Sequence, residues 1–132
     1  LDDFGLEYAL RSHVDLVSRQ YGVPIAVHTE GDFAGLPPET ATHLYRVLQE
    51  SLTNVVKHAG ASEVSVRAVR GTQGVHLTVD DDGRGLERDA PQAPGLGLTS
   101  MRERAALMGG TFALTASPLG GVRVAVHVPI DA

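Results

Sequence analysis

The chain contains no cysteine, so a disulfide framework and thiolate metal sites are both excluded. It has no apolar run approaching the length of a membrane span, and its first residues lack the basic-then-apolar order of a signal peptide. Nor does it carry excess positive charge. The formal net charge of −5 offers no basic face suited to counterion release, which argues against direct nucleic-acid binding. Low-complexity tracts and internal repeats are missing too, and the six histidines show no zinc-ligand spacing. A strongly anionic ligand would therefore need donors placed locally.

What remains is 132 residues, 42% hydrophobic and 20% charged, the size and balance of one domain with its own core. We read residues 1–132 as that single domain. Leu1 is not a start methionine, and the chain is expected to be a piece of a longer protein.

Leu6, Leu10, Val14 and Val17 recur at helical spacing between Asp3 and Gln20. Gly22 and Pro24 stop that helix, and Pro24 to Glu30 alternates as a strand. Pro37-Pro38 opens a second helix whose apolar stripe is Ala41, Leu44, Leu48, Leu52, Val55 and Ala59, ended by Gly60. Glu63–Val69 and Val75–Asp80 form a hairpin around RGTQG. Residues 83–97 lose periodicity and read as a loop rich in glycine and proline. Thr99 or Ser100, with Glu103 as the capping-box partner of Ser100, starts a third helix through Met108. A last hairpin joins Thr111–Ala116 to Val122–Val128 through SPLGG. This order predicts an α/β (α+β) sandwich with helices on one face of a mixed sheet.

Three segments carry the chemistry: ESLTNVVKHA at 50–59, DDGRGL at 81–86 and GLGL at 95–98. Glu50, Asn54 and Lys57 are spaced to share one helix face opposite the leucine stripe. Taken singly, each reads as part of a solvated face. Asparagine in mid-helix, however, lowers propensity without structural gain, and its amide oxygen suits a hard cation such as Mg²⁺ that keeps phosphates as further ligands. Glu50, one turn earlier, is placed to accept a proton. His58 reads either as a partner of the helix dipole or as a contact to phosphate or metal-bound water.

Strand alternation puts Asp81 on the same face as Val75, Leu77 and Val79, with Asp80 and Asp82 on the other. An inward carboxylate accepts the exocyclic amine of adenine, which guanine does not offer there, so Asp81 is the expected base contact. Gly83 and Gly85 would let backbone approach a ligand. Gly95-Leu96-Gly97-Leu98 precedes a helix, and its free amides suit phosphate. A dinucleotide fingerprint is not met, because Ser100 stands where its third glycine would be, and no GxxxxGK[ST] is present. Residues 86–94 read as a short lid.

Together these segments resemble the ATP-binding domains of the superfamily joining gyrase, heat-shock chaperone, sensor histidine kinase and mismatch-repair ATPases. ESLTNVVKHA is similar to the N box of histidine kinases, DDGRGL to their G1 box and GLGLTSMRERA to their G2 box and the helix behind it. QESLTNVVKHA and GLTSMRERAALMGG look like the nitrate-sensor-like subclass. The resemblance covers roughly residues 1–130.

It implies a Bergerat-type fold with a short ATP lid. Such a domain binds Mg-ATP and donates the γ-phosphate to a histidine on an adjacent dimerisation domain, for relay to a helix-turn-helix response regulator. By position, Asn54 would be the magnesium ligand and Glu50 the catalytic acidic residue. Lys57 and His58 would lie near phosphate, Asp81 would hold adenine, and Gly83, Gly85, Gly95, Leu96, Gly97 and Leu98 would shape the pocket and lid. The implied location is cytoplasmic, with no direct membrane or nucleic-acid contact by this domain.

Two departures from the family pattern stand out. Gly120-Gly121-Val122 lacks the threonine often found after the final-turn glycines. None of His13, His28, His43, His58, His76 or His127 has the flanking pattern of the phosphoacceptor, so this chain alone is expected to bind ATP without autophosphorylating. Related boxes also occur in anti-sigma-type serine kinases, and a non-catalytic nucleotide-binding interaction module is the third reading.

Overall fold

A computed structural model of the chain describes residues 5–83 and 98–130, with the side chain of His58 outside the described set. The elements in order are helix α1 (Gly5–Tyr21), strand β1 (Ile25–Glu30), helix α2 (Pro38–Asn54), a π turn (Val55–Ala59), strands β2 (Val64–Gly71) and β3 (Gly74–Asp81), helix α3 (Leu98–Leu107), and strands β4 (Thr111–Ala116) and β5 (Val122–Val128). The predicted order holds throughout. The loop at 83–97, including the lid at 86–94, lies beyond Gly83 outside the described residues.

The five strands form one sheet in the order β1-β2-β3-β5-β4. β1 runs parallel to β2, with Val27 opposite Val66, and the other three pairings are antiparallel. The sheet is mixed, as expected, because only β1 reaches its neighbour through a crossover helix. The first hairpin turns on Thr72 and Gln73 alone, with Gly71 paired to Gly74. Its loop is therefore tighter than the expected RGTQG.

Alternation decides which face is covered. Val64, Val66 and Ala68 of β2, Val75, Leu77 and Val79 of β3, and Val124, Val126 and Val128 of β5 are buried. Against them pack Leu6, Leu10, Val14 and Val17 of α1, Leu44, Val47, Leu48 and Leu52 of α2, and Met101 and Ala105 of α3. The apolar stripes read from periodicity are these faces. Each fully buried leucine is worth about 1.5–3 kcal/mol relative to exposure, so Leu10, Leu44, Leu48 and Leu52 anchor the helix layer.

Polar contacts fix how the helices lie. Thr29 of β1 receives Arg11 Nη2 and donates to Glu7 Oε2, each at 2.7 Å. His13 of α1 meets the Tyr45 ring edge-on at 5.8 Å, and burial there pulls its imidazole below the ordinary value. Arg102 of α3 lies over the Phe112 ring of β4 at 4.8 Å.

The third helix departs from expectation at its start. It begins at Leu98, so Ser100 sits inside the first turn and is not its cap. The Ser100 hydroxyl is spent instead on a carboxylate of α2.

Candidate functional site

The covered side of the sheet brings the end of β3 beside the end of the α2 segment. Asp81, the last residue of β3, faces the helix layer as the alternation requires and is only 2% exposed. A carboxylate that deeply placed needs donors. Oδ1 accepts the Gly83 N–H at 2.8 Å and is 3.4 Å from the Val122 N–H.

Two glycines make this arrangement possible. A Cβ on Gly83 would collide with the carbonyl and side chain of Ala59, and a Cβ on Gly121 would collide with Oδ1 and the carbonyl of Asp81. The first contact draws the strand end against the π turn. The second closes the final turn over the carboxylate, where the Gly121 N–H donates to the Asp81 carbonyl at 2.9 Å. Gly121 was visible in the sequence only as a departure at the final turn. Its position against Asp81 supplies a steric reason for glycine there.

The neighbouring aspartates have structural work. Asp80, on the open face and 7% exposed, receives Arg123 in a two-point fork, Nε to Oδ1 at 2.8 Å and Nη2 to Oδ2 at 3.1 Å. Ser117 also donates to Oδ1 at 2.9 Å. These contacts to Asp80 raise the Arg123 guanidinium above its ordinary range. Asp82 accepts the Ser62 hydroxyl at 2.6 Å and the backbone N–H groups of Ser62 and Glu63. The Ser62 hydroxyl, then the two amides, hold its carboxyl below the ordinary value. Of three consecutive carboxylates, Asp81 alone turns toward the helices.

Asn54 ends the α-helical part of α2 and is half-buried. The next five residues form the π turn, and Gly60 closes it in the left-handed conformation at φ 64°. Apolar periodicity alone predicts a regular helix through Ala59, and the structure departs from it here. The wider turn means that Lys57, which is exposed, does not continue the simple α-helical face of Glu50 and Asn54.

Glu50 touches α3. Its Oε1 accepts the Ser100 hydroxyl at 3.1 Å and is 3.8 Å from Arg104 Nε. Oε2 is buried with no hydrogen-bond partner among the described residues. Arg104 and Ser100 were not among the expected site residues. No local signal could have found them, because each lies about fifty positions from Glu50.

Leu98 opens α3 and packs half-buried against the core. Gly85, Gly95, Leu96 and Gly97 lie outside the described residues, as does the His58 side chain. Among the described residues, no group of three or more His, Asp or Glu gathers to hold a metal, and no helix is long and apolar enough to cross a membrane.

An inward carboxylate at a strand end, an asparagine at the end of the facing helix and a mixed sheet covered by three helices on one side define an ATPase domain of the Bergerat type. Residues 39–132 match the model of the family described as histidine kinase-, DNA gyrase B- and HSP90-like ATPase, and the chain belongs to that family.

The chain is 37% identical over 131 residues to the oxygen sensor histidine kinase NreB of Staphylococcus carnosus, covering 98% of this chain and 38% of NreB. It is 40% identical over 132 residues to the histidine-protein kinase/phosphatase UhpB of Salmonella typhimurium, covering 98% of this chain and 25% of UhpB. Among solved structures it is similar to the ATP-binding domain of PrrB from Mycobacterium tuberculosis. There the TM-score is 0.77 and the identity 27%, over 97% of this chain and 96% of that one. The expected class, a histidine kinase-type ATP-binding domain, is thereby borne out. The chain spans well under half the length of NreB and UhpB.

Proposed function

We propose that the chain is the ATP-binding catalytic part of a two-component sensor kinase, taking adenine nucleotide between the α2 end and β3 and passing its γ-phosphate to a histidine on an adjacent dimerisation domain. The observation that carries this reading is the buried Asp81 carboxylate, aimed at the helix layer beside the end of the N-box segment. Buried acceptors of this kind recognise a donor such as the adenine amine. Family membership and the kinase relatives support the same reading.

In this reading Asp81 accepts the adenine amine, while Gly83 and Gly121 keep its surroundings free of side chains. Asn54 supplies an amide oxygen to Mg²⁺, whose chemistry when bound is to neutralise phosphate charge. The residues present fit that ion: a neutral oxygen donor on a half-buried helix end leaves positions for phosphates and water. Lys57 adds a positive charge nearby, His58 a further polar contact, and Gly85, Gly95, Leu96, Gly97 and Leu98 the phosphate-side wall. Glu50 accepts the proton that the phosphoacceptor imidazole loses.

The domain would span residues 1–132 and act in the cytoplasm, with its phosphoacceptor domain elsewhere in a longer kinase and a helix-turn-helix response regulator downstream. Calorimetry tests the core of this. Wild-type chain is expected to bind ATP and ADP with affinity that rises on adding Mg²⁺, and Asn54→Ala to lose the magnesium-dependent increment. Wild-type chain that binds neither nucleotide would overturn the reading.

A further inference from the structure

The turn that joins β4 to β5 straddles the end of β3. On the covered side, the Gly121 N–H donates to the Asp81 carbonyl at 2.9 Å, and Gly121 stands so close that a Cβ there would strike Asp81 Oδ1. On the open side, the Ser117 hydroxyl donates to Asp80 Oδ1 at 2.9 Å. Two consecutive carboxylates that point to opposite faces of the sheet are therefore held by one turn.

Ser117 is the hub of that turn. Its N–H donates to the Gly121 carbonyl at 2.9 Å, its carbonyl accepts the Gly120 N–H at 3.0 Å, and its hydroxyl oxygen accepts the Leu119 N–H at 3.1 Å. The one hydroxyl proton goes to Asp80, so every polar group of this residue is engaged, and the residue is only 8% exposed. Gly121 is thereby fixed relative to Asp80.

Asp80 is a costly anchor. Along the open face of β3, His76 is exposed and Thr78 half-buried, whereas Asp80 is 7% exposed. Burial of a carboxylate is unfavourable unless it is paired and hydrogen-bonded, and this one takes the Ser117 hydroxyl and both arms of the Arg123 fork. The turn does not need these contacts to close, because its own backbone bonds close it. What Asp80 adds is a fixed seat for the turn on β3.

That seat bears on the orientation of Asp81. Oδ1 accepts the Gly83 N–H at 2.8 Å and lies 3.4 Å from the N–H of Val122, the first residue after the turn. Oδ2 has no hydrogen-bond partner among the described residues, yet it is not sealed off without a partner as Glu50 Oε2 is. Gly121 packs against the oxygen that is already engaged.

We propose that Ser117, backed by Asp80 and Arg123 on the opposite face of the sheet, is a positioning residue for base recognition. It seats the final turn so that Gly121 and Val122 hold Asp81 Oδ1 in place and leave Oδ2 for the exocyclic amine of adenine. The proposal rests on the reading of Asp81 given above. Ser117 itself touches no part of the nucleotide. Its effect is confined to the contact that separates adenine from a base carrying a carbonyl at that edge.

Calorimetry on the 132-residue chain with ADP and with inosine diphosphate, which carries that carbonyl, provides the test. Wild type is expected to prefer ADP. Ser117→Ala should lower the preference about fivefold or more by weakening ADP, while the Kd for inosine diphosphate stays within about twofold. Ser117→Thr, which keeps the hydroxyl, should restore most of the preference. A turn that served stability alone would shift the unfolding midpoint without moving this ratio. An undiminished preference in folded Ser117→Ala, or equal weakening of both ligands, would overturn the proposal. Should Ser117→Ala fail to fold, Arg123→Lys decides, since it keeps the charge and loses the fork. A smaller fall in the ratio is expected there, and an unchanged ratio would overturn the proposal equally. Failure of the underlying reading looks different, because wild type would then bind the two ligands alike.

Discussion

Gly121 sits so close to Asp81 that a single added carbon would strike both its carboxylate oxygen Oδ1 and its carbonyl. The backbone at Gly121 lies outside the left-handed region, so the demand for glycine here is one of space and not of conformation. Gly121→Ala should therefore push the carboxylate aside. We expect a loss of about 1–3 kcal/mol in stability, the usual cost of overpacking, together with weaker adenine nucleotide binding. Chemical denaturation and calorimetry on the same variant check both.

Asp81→Asn keeps an acceptor for the Gly83 N–H but removes the charge and brings an amide NH₂ toward the adenine amine. Hydrogen bonds to charged groups are worth about 1.5–3 kcal/mol, so affinity for ADP should fall by about 10- to 100-fold. The melting temperature should change little. An affinity equal to wild type would remove Asp81 from the base-binding role.

Much of this is legible in the amino-acid sequence. The stripes of α1 and α2 follow from 3.6-residue periodicity, and the inward turn of Asp81 follows from two-residue alternation after Val79. The π turn at Val55–Ala59 was not legible, because VVKHA has the composition of an ordinary helix and the close approach of Ala59 to Gly83 joins residues far apart in the chain. Ser100 was misread as a cap for a related reason. A serine followed three residues later by glutamate is a local signal, and the contact that captured its hydroxyl comes from Glu50, on another helix.

Arg123→Ala would leave the buried Asp80 carboxylate with the Ser117 hydroxyl as its remaining described side-chain donor. Arg123 is itself partly exposed, so the cost falls below that of breaking a fully buried pair, at about 1–3 kcal/mol. Arg123→Lys should recover only part of this, since an ammonium cannot reproduce the two-point fork. Urea unfolding of the three proteins gives the ranking directly. Equal midpoints would show that the pair contributes nothing.

Asp82 provides a pH-dependent component with a defined sign. Its folded-state carboxyl lies below the ordinary value of 3.8, chiefly through the Ser62 hydroxyl and then the Glu63 and Ser62 amides. Stability from these contacts is complete above that ordinary value and is lost as pH falls through the lowered folded-state one. The melting-temperature gap between wild type and Asp82→Asn should therefore be constant near neutrality and close as pH is taken below 3.8. A gap that widens in acid would contradict the assignment.

The wide turn after Asn54 also governs what can be transplanted. A regular helix copied onto positions 50–60 would arrive with one residue too many for its winding, and everything from Lys57 to Gly60 would swing around the axis relative to Glu50. Any chimera that borrows this segment must import the surplus residue and its glycine neighbour at 83 as a set, or Ala59 will no longer seat against the end of β3.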